Sequence, residues 1–400
     1  MSSKAPLENQ SAIIDALKLD FQQTTPKRMT QDAERRSLSR NFCSDTVTAP
    51  STAMLEYAMK TASIGDDVFG WDYCTNTLEQ HMAKVCGKEA AIFVNSGTMG
   101  NQIALRCLFE RPPYSVLCDH RSHIYKYEAG GASYNSGAAT IAVEPKNGRH
   151  LSLDDIKAHI ILDEDIHYAT TRVIALENTL NGTIHSQASI LEIAGFAREH
   201  GIKLHLDGAR LWHVAVETGV SLAELCKPFD TVSLCFSKGL GTPAGSILVG
   251  PSSLITLARG YRKLFGGAMR QTGILSACAA YALNNHIALL PSVHSKAKRL
   301  ADGLSSTGVT ITQPTETCMV WFDPSPVGLT TQEIAKRASE LVQPITMYGD
   351  RLVAHIQTSD DAINDLVRLV GVMVKEVEAG KRTSQNVDGT SRSTHYPARL

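Results

Sequence analysis

Val232-Ser-Leu-Cys-Phe-Ser-Lys-Gly-Leu-Gly241 is a short apolar run that reaches a lysine and opens into a glycine-rich turn. Asp207 lies 31 residues upstream of Lys238, in His205-Leu-Asp-Gly-Ala-Arg210. A lysine at a strand end can form a Schiff base with an aldehyde cofactor, and an aspartate can hold a pyridinium nitrogen charged. Either fragment alone is an ordinary surface turn. In this order they point to chemistry that uses pyridoxal 5'-phosphate (PLP).

Outward from that pair, short β-branched runs alternate with helical patterns. The runs are 90–94, 115–118, 140–143, 172–176, 202–206, 231–235 and 246–249, and the helical candidates between them include 98–109, 187–200 and 270–290. This alternation predicts an α/β fold with a largely parallel central sheet. In such sheets ligands sit beyond the carboxyl ends of the strands, which is where most of the residues below fall. After Pro291 the signals run helix, strand, helix, as in a smaller α+β domain. The expected organisation is an N-terminal extension (1–40), a large domain (41–290), a small C-terminal domain (291–378) and a flexible tail (379–400).

The chain has 400 residues, of which 43% are hydrophobic, and a formal net charge of −1. It can bury a large core, and its neutral balance gives no footprint for nucleic acid. No apolar stretch approaches the roughly 18 residues of a membrane span, and the N-terminus lacks a secretory pattern. A soluble intracellular protein without nucleic-acid or membrane partners is the expectation. Nine cysteines sit singly, so neither a disulfide frame nor a metal site is indicated. Ala398-Arg399-Leu400 is a permissive variant of the Ser-Lys-Leu peroxisomal address. The destination reads as cytoplasmic or peroxisomal.

Several further residues bear on chemistry. Ser96-Gly97-Thr98 follows a strand and opens a helix, where backbone N–H groups can bind a phosphate, although a plain N-cap reads the same way. Arg210 can reach a cofactor oxygen or a substrate, or make a surface ion pair. His123, in His120-Arg-Ser-His-Ile-Tyr-Lys-Tyr-Glu128, can stack on a ring or be structural, with Tyr127 close by. Arg270 and Arg351 suit a phosphate and a carboxylate respectively, and equally a solvent-facing arginine.

Together, Asn41-Phe-Cys-Ser-Asp-Thr-Val-Thr48, Gly65-Asp-Asp-Val-Phe-Gly70, Ser96-Gly-Thr-Met-Gly-Asn101, Glu177-Asn-Thr179, His205–Arg210, Ser237-Lys-Gly-Leu240 and Gly266-Gly-Ala-Met-Arg-Gln271 resemble the threonine aldolases of the fold-type-I PLP superfamily. The likeness spans roughly 41–378, and Arg111-Pro-Pro-Tyr-Ser-Val-Leu-Cys-Asp119 resembles the fungal branch. It implies a transferase-like large domain with a Schiff base at Lys238, a pyridine-nitrogen contact from Asp207 and ring stacking by His123. Phosphate contacts would come from Gly97, Thr98 and Arg270, the last from a neighbouring subunit. Ser44, Arg210 and Arg351 match positions that hold the substrate carboxylate. A homotetramer, or at least a dimer, is implied, with active sites at subunit interfaces.

Three positions depart from the family. Where its histidine follows Glu-Asn-Thr, this chain has Leu180 and Asn181; the tyrosine of Gly-Asp-Asp-Val-Tyr-Gly is Phe69; and Trp71 replaces an acidic residue. All three changes remove polar groups from the expected substrate end. Two outcomes therefore stay open. One is aldol cleavage of threonine or allo-threonine-type β-hydroxy amino acids to glycine and an aldehyde. The other is racemisation of a small amino acid such as alanine, with Lys238 serving one face and His123 or Tyr127 the other.

Overall fold

A computed structural model describes residues 31–163 and 165–380. The amphipathic run 13–19, the tail beyond 380 and Ala398–Leu400 lie outside the described residues. The helix Gln31–Leu38 heads the described chain, and the unit that carries the sheets begins at Leu38.

Seven of the expected runs form one sheet: β1 (Ala90–Val94), β2 (Ser115–Asp119), β3 (Ala139–Val143), β4 (Thr171–Glu177), β5 (Lys203–Asp207), β6 (Thr231–Cys235) and β7 (Ser246–Gly250). Their order is β1-β7-β6-β5-β4-β2-β3, and β7 alone runs antiparallel to its neighbours. Every residue of β2, β6 and β7 is buried, because helices cover both faces and the strands can be apolar throughout. Phe93, Leu117, Ile174, Leu206, Val232 and Leu234 join the helices in one core. The six parallel strands bring their carboxyl ends to one edge. That edge collects Ser96, His123, Glu177, Asp207 and Lys238.

A second sheet, β10-β9-β8, is antiparallel and contains β8 (Thr310–Ile311), β9 (Met319–Asp323) and β10 (Arg351–Val353). The helices Leu290–Ser305 and Asp360–Glu378 pack Val293, Leu300, Leu366 and Val370 with Val320 and Phe322 in a separate core. Phe42 belongs to this core too. Its N–H donates to Thr346 O at 2.8 Å, and its carbonyl accepts from Val353 N at 2.8 Å. By packing, the first residues of the expected large domain therefore sit with the small one.

One expected helix is divided. The 270–290 pattern resolves into Gly273–Asn285, a 3-10 turn Ile287–Leu289 and the start of Leu290–Ser305. Pro291, which lacks an N–H, is accommodated in the first turn of the new helix. At the break His286 Nδ1 lies 2.7 Å from Leu240 O, two residues beyond Lys238.

Candidate active site

Asp207 ends β5 and is 5% exposed. Its Oδ2 accepts from Asn101 Nδ2 at 2.7 Å and its Oδ1 from Ala209 N at 3.0 Å. Burial would raise its pKa, but the charges of Lys238 and His123 and the Asn101 hydrogen bond outweigh burial and hold it below the usual carboxylate range. Lys238, three residues beyond β6, behaves correspondingly. Burial opposes its charge, yet Cys235, Asp207 and Asp45 more than offset this and shift it upward.

His123 begins a short helix after β2 and places its Nδ1 2.8 Å from Glu128 Oε1. Glu128 also accepts from Asn101 Nδ2 at 2.9 Å and from Gln102 Nε2, so it is a fully served carboxylate. The ligand atoms of His123, Glu128 and Asp207 lie within 4.8 Å of one another. Burial works against protonation of His123, but the Glu128 hydrogen bond and the Asp207 charge prevail and move its pKa upward. The Tyr127 ring centroid is 5.7 Å from that of His123, and the tyrosine is part-exposed.

Ser96 caps the helix Gly97–Leu108, its Oγ accepting from Met99 N at 3.2 Å. A Cβ at Gly97 would stand 2.6 Å from Cys235 Sγ, so only glycine lets the helix start close against the end of β6. Ser96, Gly97 and Thr98 are half-buried and carry the positive end of the helix dipole toward the edge that holds Asp207 and Lys238. These residues fit PLP. The helix N-terminus offers amides to its phosphate, and Asp207 is a buried anion with no cation hydrogen-bonded to it among the described residues. The Lys238 amine suits its aldehyde, and when bound PLP supplies an electron sink for a bond at Cα. Arg270 stands apart, 58% exposed and paired with Asp66 at 3.0 Å.

The proposed carboxylate-binding residues converge on the segment 43–45. Arg210 grips Asp45 in a two-pronged pair, Nε to Oδ2 at 2.8 Å and Nη2 to Oδ1 at 2.6 Å, with both side chains largely buried. Ser44 accepts from Thr46 N and Oγ1, and Arg351 Nη2 donates to Cys43 O at 3.1 Å. Asp45 thus neutralises much of the charge that Arg210 would offer a substrate. Asp45, Asn101, Glu128 and Glu177 are the participants that sequence reasoning gave no role, although each stands inside a stretch already singled out. Arg210→Ala leaves Asp45 buried and uncompensated, and is expected to cost about 3–5 kcal/mol of stability. Urea unfolding of the two proteins checks it.

The β-eliminating lyase family model matches residues 41–325, a span that holds both the strand-end residues and the 43–45 segment. The chain belongs to this family. The chain is 40% identical over 345 residues to the low-specificity L-threonine aldolase of Candida albicans, covering 86% of this chain and 92% of that one. It is 37% identical over 336 residues to the alanine racemase TOXG of Cochliobolus carbonum, covering 82% and 85%. Among solved structures, Leishmania major threonine aldolase superposes with a TM-score of 0.72 at 20% identity, over 84% of this chain and 99% of that one, which shows a shared fold. The lyase is accordingly a PLP-dependent enzyme of the threonine aldolase group with the fold-type-I architecture.

Proposed function

We propose that this lyase cleaves Cα–Cβ of a threonine-type β-hydroxy amino acid, giving glycine and an aldehyde. The observation that carries the reading is the Lys238–Asp207–His123 constellation at one sheet edge, in a chain about 40% identical to L-threonine aldolases. In this reading Lys238 is the amine that engages the cofactor, Asp207 holds the heterocycle cationic and His123 lies against its face. Arg351 and Ser44 receive the substrate carboxylate.

One observation favours alanine racemisation as a second reading. Leu180 stands where the family places a histidine, is 3% exposed, and belongs to none of the four apolar clusters. Its loop is pinned, since Thr183 donates to Leu180 O and Trp321 Nε1 to Asn181 O at 2.9 Å. The other two departures weigh less. Phe69 and Trp71 stack on each other at 4.8 Å and are 60% and 69% exposed, so within one subunit they do not line a buried site. Ile64 and Tyr73 in the same segment are exposed as well, and these four exposed large apolar side chains within ten residues support assembly into a dimer or tetramer.

Incubation in D₂O separates the readings. Acetaldehyde from L-threonine supports the lyase, whereas deuterated D-alanine from L-alanine, without acetaldehyde, supports the racemase. Leu180→His is expected to raise threonine cleavage roughly 3- to 10-fold, the worth of one hydrogen bond to a β-hydroxyl. Acetaldehyde release by wild type and variant measures this, and no gain assigns hydroxyl recognition to another group.

A further inference from the structure

Glu177 ends β4 and has no part in the chemistry assigned above. In the parallel register it is the partner of Asp207, so both side chains leave the same face of the sheet on adjacent strands. Three carboxyls are crowded here, and their donors are unequal. Asp207 has Asn101 and Ala209, while Glu128 has Asn101, Gln102 and His123. Glu177 has one donor, the backbone N–H of His123, which reaches its Oε2 at 2.8 Å. No donor to its Oε1 is found among the described residues. The charged and titratable groups that face it are Asp207 on β5, His123 and Cys118 from the β2 side, and Lys238 beyond β6.

We propose that Glu177 is a positioning residue for Asp207: it keeps its own proton at the end of β4, so that Asp207 alone faces a bound heterocycle as an anion. Two carboxyls on adjacent strand ends, Asp207 buried and Glu177 half-buried, do not ionise over the same pH range, and the last proton stays on the one with fewer donors. Burial first, and then the charge of Asp207, push Glu177 up to about 7, while Asp207 moves in the opposite direction. The consequence is that Glu177 and Asp207 together carry one negative charge at mildly acid pH and two in alkali. The identity of the heterocycle rests on the function proposed above; the proton on Glu177 does not.

The test uses the apoprotein first. A carboxyl raised in the folded state adds stability below the unfolded carboxyl range, and that stability is lost as pH rises through its folded pKa. Between about pH 5 and pH 8 the thermal midpoint of wild type should therefore fall by several degrees relative to that of Glu177→Gln, because the buried neutral histidines, which gain stability over the same range, are common to both proteins and cancel in the difference. Glutamine still accepts from His123 N–H, so the fold is retained. A difference between the two midpoints that does not change with pH overturns the proposal. Infrared spectra of wild-type apoprotein do not depend on a variant folding. A protonated-carboxyl band that fades with a midpoint near 7 supports the assignment, and its absence at pH 5 overturns it. With PLP added, the pH transition of the visible band in wild type should be displaced or lost in Glu177→Gln. If no visible band forms in either protein, the functional reading fails while the apoprotein result stands by itself.

Discussion

Lys238→Ala is expected to lower turnover by roughly 10³-fold or more and to abolish the visible-edge absorbance that PLP acquires on the wild-type protein. The lysine is the one primary amine the structure sets among Asp207, Asp45 and Cys235 at the end of β6. Those neighbours keep it cationic before any reaction, so its reactivity depends on passing that proton to a group in the site. Alanine removes both the nucleophile and a cation that lowers Asp207 and, behind Arg210, helps to lower Asp45. A near-wild-type unfolding transition separates this effect from a folding defect. A variant that keeps both band and turnover would refute the placement of the chemistry at this strand edge.

Asp207→Asn is expected to reduce turnover roughly 10²- to 10³-fold with little change in stability. An asparagine oxygen can still accept from Asn101 or from Ala209 N–H, the two contacts that hold this side chain. What it cannot do is carry charge, so a pyridine nitrogen would lose the partner that keeps it protonated. The same change relieves Glu177, whose upward shift Asp207 helps to cause, and lowers the pKa of His123, which Asp207 helps to raise. Turnover with L-threonine and L-alanine reads the first effect, and an NMR titration of the His123 ring reads the last. A wild-type rate in Asp207→Asn would show that the ring nitrogen takes no charge from this residue.

Much of the sheet was legible in the chain. The seven runs read as strands fall on β1 to β7, because each is a short apolar segment bounded by turn residues, and such signals are local. The helix 97–108 was legible for the same reason, since Ser96 both ends a turn and caps the helix. The division near 286–291 was not. Its signal is Pro291 inside an otherwise helical pattern, where a proline in a first turn reads much like one after a last turn.

From sequence alone came the family likeness, the strand-end positions of Lys238, Asp207 and His123, and the departure at Leu180, each carried by a motif whose own residues lie within a few places of one another. Only tertiary structure paired Arg210 with Asp45, drew Glu128 to Asp207 through Asn101, set Glu177 beside Asp207, and moved Phe42 into the small-domain core. The reason is electrostatic and spatial. The charge state of a carboxyl is fixed by burial and by donors a few ångströms away, and here most of those donors, Asn101, Gln102, His123 and Arg210, come from parts of the chain distant from the carboxyl they serve or from its neighbouring charge.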